Sequence, residues 1–75
     1  MKRTIQFQIH KGDKYYIAEC IDLPIVTQGL TLDELVFNIQ EAVELHLEED
    51  DLENYFISPN PTIMANMEIG EYHYA

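Results

Sequence analysis

Residues 4–20 read TIQFQIHKGDKYYIAEC, and this stretch decides the fold. Ile5, Phe7 and Ile9 alternate with Thr4, Gln6 and Gln8, the period-two signature of a strand with one face buried. The polar run Lys11-Gly12-Asp13-Lys14 then has the composition of a hairpin turn, and Tyr15 to Cys20 predicts a second strand. Pairing His10 with Tyr15 across the turn sets Ile9 against Tyr16, Phe7 against Ala18 and Ile5 against Cys20, so that two apolar faces coincide. On the opposite face Tyr15 and Ile17 come beside Gln6 and Gln8. A helix packed on the first face leaves that surface uncovered, which makes Tyr15 and Ile17 candidates for self-association.

Downstream of the hairpin, Leu23-Pro24 interrupts the pattern. Ile25 to Gln28 predicts a short third strand ended by Gly29. Thr31-Leu32-Asp33-Glu34 is a capping box: the Thr hydroxyl accepts from the amide three residues on, and the Glu carboxylate reaches back. The helix that opens there places Leu32, Leu35, Val36, Ile39, Ala42, Val43 and Leu47 on one broad stripe over about five turns. Phe37 and Leu45 fall outside it, and Phe37 is a further candidate for self-association. Ser58-Pro59-Asn60-Pro61 predicts a loop, because each proline disfavours helix in the residue before it. Thr62 to Ile69 alternates again, with Ile63, Ala65, Met67 and Ile69 on one side of a fourth strand. The expectation is a single α+β domain of 75 residues, ordered β-β-β-α-β, with its core in residues 4–69 and a tail in residues 70–75.

Charge is the most informative bulk property. Four basic residues against 14 acidic ones give a formal net charge of -10. All four bases, Lys2, Arg3, Lys11 and Lys14, lie ahead of Tyr15, and every acid except Asp13 lies after it. Phosphate contact needs cationic donors, so direct binding to nucleic acid or to an anionic membrane is disfavoured, and a basic partner is favoured. No apolar run approaches the ~20 residues that cross a bilayer, and the amino terminus has no signal-peptide core, which points to the cytoplasm. Cys20 is the only cysteine and so cannot form an internal disulfide; it reads as a small buried hydrophobe.

The run Tyr15-Tyr16-Ile17-Ala18-Glu19-Cys20 is followed by Asp22-Leu23-Pro24, Thr27-Gln28-Gly29 and Thr31-Leu32-Asp33-Glu34. These open a helix containing Asn38-Ile39-Gln40-Glu41-Ala42-Val43-Glu44-Leu45, and in that order and spacing the elements resemble the HicB-type antitoxins. The chain departs from the family pattern at Ile25, where a glycine is usual, at Leu30, where a small polar or acidic residue is usual, and at Leu35, where alanine is favoured. The resemblance implies a partial ribonuclease-H-like fold, one helix on a small mixed sheet, with the fourth strand parallel to the first after a right-handed crossover. It also implies a protein that binds and sterically silences a HicA-type toxin, a small basic protein that cuts messenger RNA. Longer relatives carry a carboxy-terminal DNA-binding module that these 75 residues do not include, so operator binding does not carry over.

The residues give the same partner class by a separate route. Glu41, Glu44, Glu48, Glu49, Asp50, Asp51 and Glu53 crowd the end of the helix, where negative charge opposes the macrodipole at a cost of roughly 0.3–1 kcal/mol each at low salt. Solvation does not require so dense a cluster there. Glu48, Glu49, Asp50, Asp51 and Glu53 are therefore the candidate partner-binding residues, acting by long-range attraction. Tyr72 and Tyr74 are candidate anchors, because Tyr offers large contact area at low entropic cost.

Three alternatives remain at this level. One is an orphan HicB-like regulatory or adaptor domain that binds another protein or a ligand. A second is a metal-dependent nuclease drawing on Glu19, Asp22 and Glu48, disfavoured because Gln6 and Gln8 stand where the first strand would supply an acid. A third, a metal site at His46 and Asp50, lacks a second His or Cys, and His46 is better read as packed at the edge of the core. The expectation is no enzyme, no cofactor and no metal, and a homodimer or larger homo-oligomer formed through open sheet edges.

Overall fold

The computed structural model describes the backbone of residues 2–49 and 57–69, and the side chains of residues 4–48 and 61–69. Strands β1 (Lys2–Lys11), β2 (Tyr16–Cys20) and β3 (Val26–Gly29) lead into helix α1 (Leu32–Glu49), and strand β4 (Ile57–Met67) follows. The four strands form one mixed sheet in the order β3-β2-β1-β4. β2 is antiparallel to both β1 and β3, whereas β4 runs parallel to β1. The described residues thus form a small α+β domain with one helix against one face of a sheet.

The hairpin register differs from the sequence expectation by two residues. Ile9 faces Ala18, Phe7 faces Cys20 and Lys11 faces Tyr16, so His10 lies opposite Ile17 rather than Tyr15. The turn decides this. The Gly12 amide donates to the Tyr15 carbonyl at 2.8 Å, which leaves Asp13 and Lys14 as a two-residue loop and extends β1 to Lys11. Because the side-chain period is two, this slip keeps every side chain on its expected face.

Ile5, Phe7, Ile9 and Ala18 on the sheet, with Leu35, Ile39 and Val43 on α1, make the core. Leu23 and Ile25 complete it from the β2–β3 connection, at 5% and 7% exposure. That connection is folded by its own backbone: the Ile25 amide donates to the Leu23 carbonyl at 2.8 Å and the Cys20 amide to the Ile25 carbonyl at 2.9 Å. Cys20 is half-buried, and its Sγ accepts from the Leu23 amide at 3.3 Å.

The helix starts as its capping box requires. The Glu34 amide donates to Thr31 Oγ1 at 3.1 Å, and the Leu35 amide to the Thr31 carbonyl at 2.9 Å. The Glu34 carboxylate reaches one residue further back than expected, to the Leu30 amide at a long 3.5 Å. Just before the cap, Gly29 sits where a Cβ would lie 2.7 Å from the Leu35 nitrogen. Only a residue without a side chain allows the third strand and the helix start to approach so closely.

Two further expectations are corrected. The buried stripe of α1 is narrower than the sequence pattern, since Leu32 and Val36 are exposed while Ala42 and Leu47 are half-buried. The predicted loop at Ser58–Pro61 is instead part of β4, which spans Ile57–Met67 rather than Thr62–Ile69. Between Lys2↔Ile57 and Thr4↔Thr62 the β1–β4 register shifts, and Pro59 and Pro61 fall within that irregularity. Edge strands and bulges are where a sheet tolerates proline, because the missing N–H is not needed for the ladder.

Candidate functional site

Helix α1 carries two opposed faces. With Ile39 at the centre of the buried side, a 100° step per residue places Phe37, Glu41, Glu44 and Glu48 on the far side, with Leu45 flanking them. Burial agrees, since Phe37 is 58% and Leu45 55% exposed and the three glutamates are exposed. Glu41, Glu44, Leu45 and Glu48 line a shallow groove of about 240 Å³. Three carboxylates therefore surround an exposed leucine, with an exposed phenylalanine about two turns away from it.

No lysine or arginine on α1 offsets this charge, and the helix's one basic residue, His46, is half-buried in its last turn. Lys11 and Lys14 sit at the hairpin end, where Tyr16 pairs with Gly29 and Gly29 touches the start of α1. Glu48 lies thirteen residues further along the helix than Leu35, about 20 Å at 1.5 Å per residue. That exceeds the ~8 Å Debye length at physiological salt. Both lysines are also occupied locally, Lys11 Nζ standing 5.6 Å from the Tyr16 ring centre and Lys14 Nζ 5.6 Å from that of Tyr15. Lys2 and Arg3 open β1, where the Lys2 backbone pairs with Ile57 at the start of β4.

Of the residues expected to bind a partner, Glu48 lies on this exposed face and Glu49 is the last residue of α1. Asp50, Asp51, Glu53, Tyr72 and Tyr74 lie outside the described residues. The structure brings Glu48 together with Glu41, Glu44 and Leu45. The sequence already marked the two glutamates through their charge and Leu45 through its position outside the apolar stripe. Among the self-association candidates, Phe37 is exposed on this face. Tyr15 and Ile17 are only half-buried and turn away from the helix, Tyr15 beside the Lys14 ammonium and Ile17 opposite His10.

The carboxylates considered for a nuclease do not converge. Glu19 points to the sheet face away from the helix, where its Oε1 lies 3.4 Å from His10 Nε2. Glu48 is on the outer surface of α1, on the other side of the sheet. Among the described residues no group of three or more His, Cys, Asp and Glu side chains is placed to hold a metal ion, and no helix is long and apolar enough to cross a membrane. His46 is half-buried at the inner edge of the last turn, as its place beside the apolar stripe suggests.

Comparison with known protein families, with curated proteins and with solved structures returns no match.

Proposed function

We propose that this protein is an antitoxin-like binding protein of the HicB type that sterically neutralises a small basic toxin of the HicA type. The observation that carries the reading is the outer face of α1, where Glu41, Glu44 and Glu48 surround exposed Leu45 on a helix that has no lysine or arginine. Such a face suits a partner that offers a cationic rim around an apolar side chain. The carboxylates steer encounter over distances comparable to the Debye length, and Leu45 and Phe37 supply contact area once the partner has docked. No bond is made or broken by this chain in that role; inhibition comes from covering the toxin's RNA-binding and catalytic surface.

The reading takes further support from the order of elements, β-β-β-α-β with β4 parallel to β1. We read this as the partial ribonuclease-H-like fold of the HicB amino-terminal domain. The same charge distribution argues against a direct nucleic-acid role.

The test is association kinetics with a small basic HicA-type protein, sought first among the products of adjacent genes. Replacing Glu41, Glu44 and Glu48 together by Gln is expected to slow association by about tenfold or more and to flatten its salt dependence, with little change in the dissociation rate. An unchanged association rate refutes the steering role. Failure of the wild-type protein to co-purify with the toxin or to rescue growth refutes the antitoxin reading and favours an adaptor domain with another partner.

A further inference from the structure

The two edges of the sheet are unequal, and the inequality points to a second binding surface. β3 is four residues long, and the carbonyl of its Gln28 already accepts from Asn38 Nδ2 at 2.7 Å. β4 is eleven residues long and forms the opposite edge, hydrogen-bonded on one side to β1. α1 lies closest to β3 and β2, so its packing leaves the helix-facing side of β4 at the margin. A notch of about 130 Å³ remains between them, lined by Val36, Ile39, Gln40, Ile63 and Ala65. Val36 at 51% and Met67 at 37% exposure extend this apolar strip along the edge, and Ala65 is also exposed.

Sequence identifies the occupant. ISPNPTIMANM, the whole of β4, contains no charged residue in a chain of net charge -10. Two copies of so acidic a protein repel wherever their carboxylates meet. A cationic partner, conversely, finds no carboxylate on this strand to hold it. We propose that β4 is the self-association edge, pairing antiparallel with β4 of a second copy to form one continuous eight-stranded sheet.

The prolines set the limits of that pairing. Pro59 and Pro61 have no amide hydrogen, so the pairing segment is Thr62–Met67, which contains neither proline nor lysine, the residues that usually protect an edge. Antiparallel pairing about a two-fold axis normal to the sheet is isologous, each copy offering the same segment to the other. Ile63, Ala65 and Met67 of both copies then lie on the helix side of the joined sheet and close the two notches into one apolar seam. Both acidic faces of α1 stay outside it.

Sedimentation of the full chain, wild type and two variants, tests this. The wild type is expected to be dimeric at about 100 µM. Ala65→Glu places like charges across the seam and weakens the dimer by about 100-fold or more while leaving the far-UV circular dichroism unchanged. Phe37→Ser, on the opposite face of α1, leaves it intact. Hydrogen exchange provides a measurement that needs no variant: amides within residues 62–67 are expected to exchange more slowly as the wild type is concentrated. A monomeric wild type, a dimer lost in Phe37→Ser but kept in Ala65→Glu, or a dimer with no concentration-dependent protection of residues 62–67 overturns the proposal. So does protection of that segment in a monomeric chain only when a basic protein is added.

Discussion

The inner and outer faces of α1 divide the work of the molecule. Leu35, Ile39 and Val43 on the inner face are at most 3% exposed and hold the helix against the sheet. Glu41, Glu44, Leu45 and Glu48 on the outer face are exposed. Carboxylates near the end of a helix oppose its dipole, so the outer face is a feature that stability alone would remove. A helix optimised only to fold would carry lysine or arginine in its last turns; this one carries Glu44, Glu48 and Glu49.

The contrast can be broken from either side. Leu35→Ala, at a fully buried position against β3, is expected to cost about 2–5 kcal/mol, measured by urea denaturation. For a domain this small that is enough to unfold a large fraction of the molecules. Gly29→Ala attacks the same seam from the sheet side. Its Cβ would meet the Leu35 backbone at 2.7 and 2.9 Å, and the expected cost is about 1–3 kcal/mol, read as a lower thermal midpoint. Glu48→Gln sharpens the comparison from the outer face: stability should rise by about 0.3–1 kcal/mol in low salt and the gain should shrink as salt is added. A loss of stability in Glu48→Gln would mean that this carboxylate holds the fold together and that the two faces are not separate.

Much of the fold was legible in the sequence because two periodicities were clean. Alternation in residues 4–9 and the four-residue spacing of Leu35, Ile39 and Val43 each admitted one reading, and Thr31 with Glu34 marked the helix start. The hairpin register was not legible, since a two-residue slip leaves the apolar faces matched and only the Gly12–Tyr15 hydrogen bond distinguishes the two pairings. The prolines of β4 misled for a related reason: they argue against a central strand, and position at the edge is a property of topology that no local signal carries. Val36 belongs to the apolar stripe by its angle, yet it is exposed because the helix lies towards β3 and leaves β4 uncovered. Of the candidate site, the sequence supplied the charges, and the structure showed which of them share a surface with Leu45.

The parallel pairing of β1 with β4 joins residues 2–9 to residues 57–67, across more than fifty intervening positions. As a ribosome releases this polypeptide, the hairpin, the third strand and the helix can assemble while β1 still lacks its outer neighbour. Completion of the sheet must wait until residues 57–67 have emerged, so the β1–β4 pairing is expected to be the last step of its assembly. Until then the bare flank of β1 is the nascent molecule's point of greatest exposure to wrong strand partners.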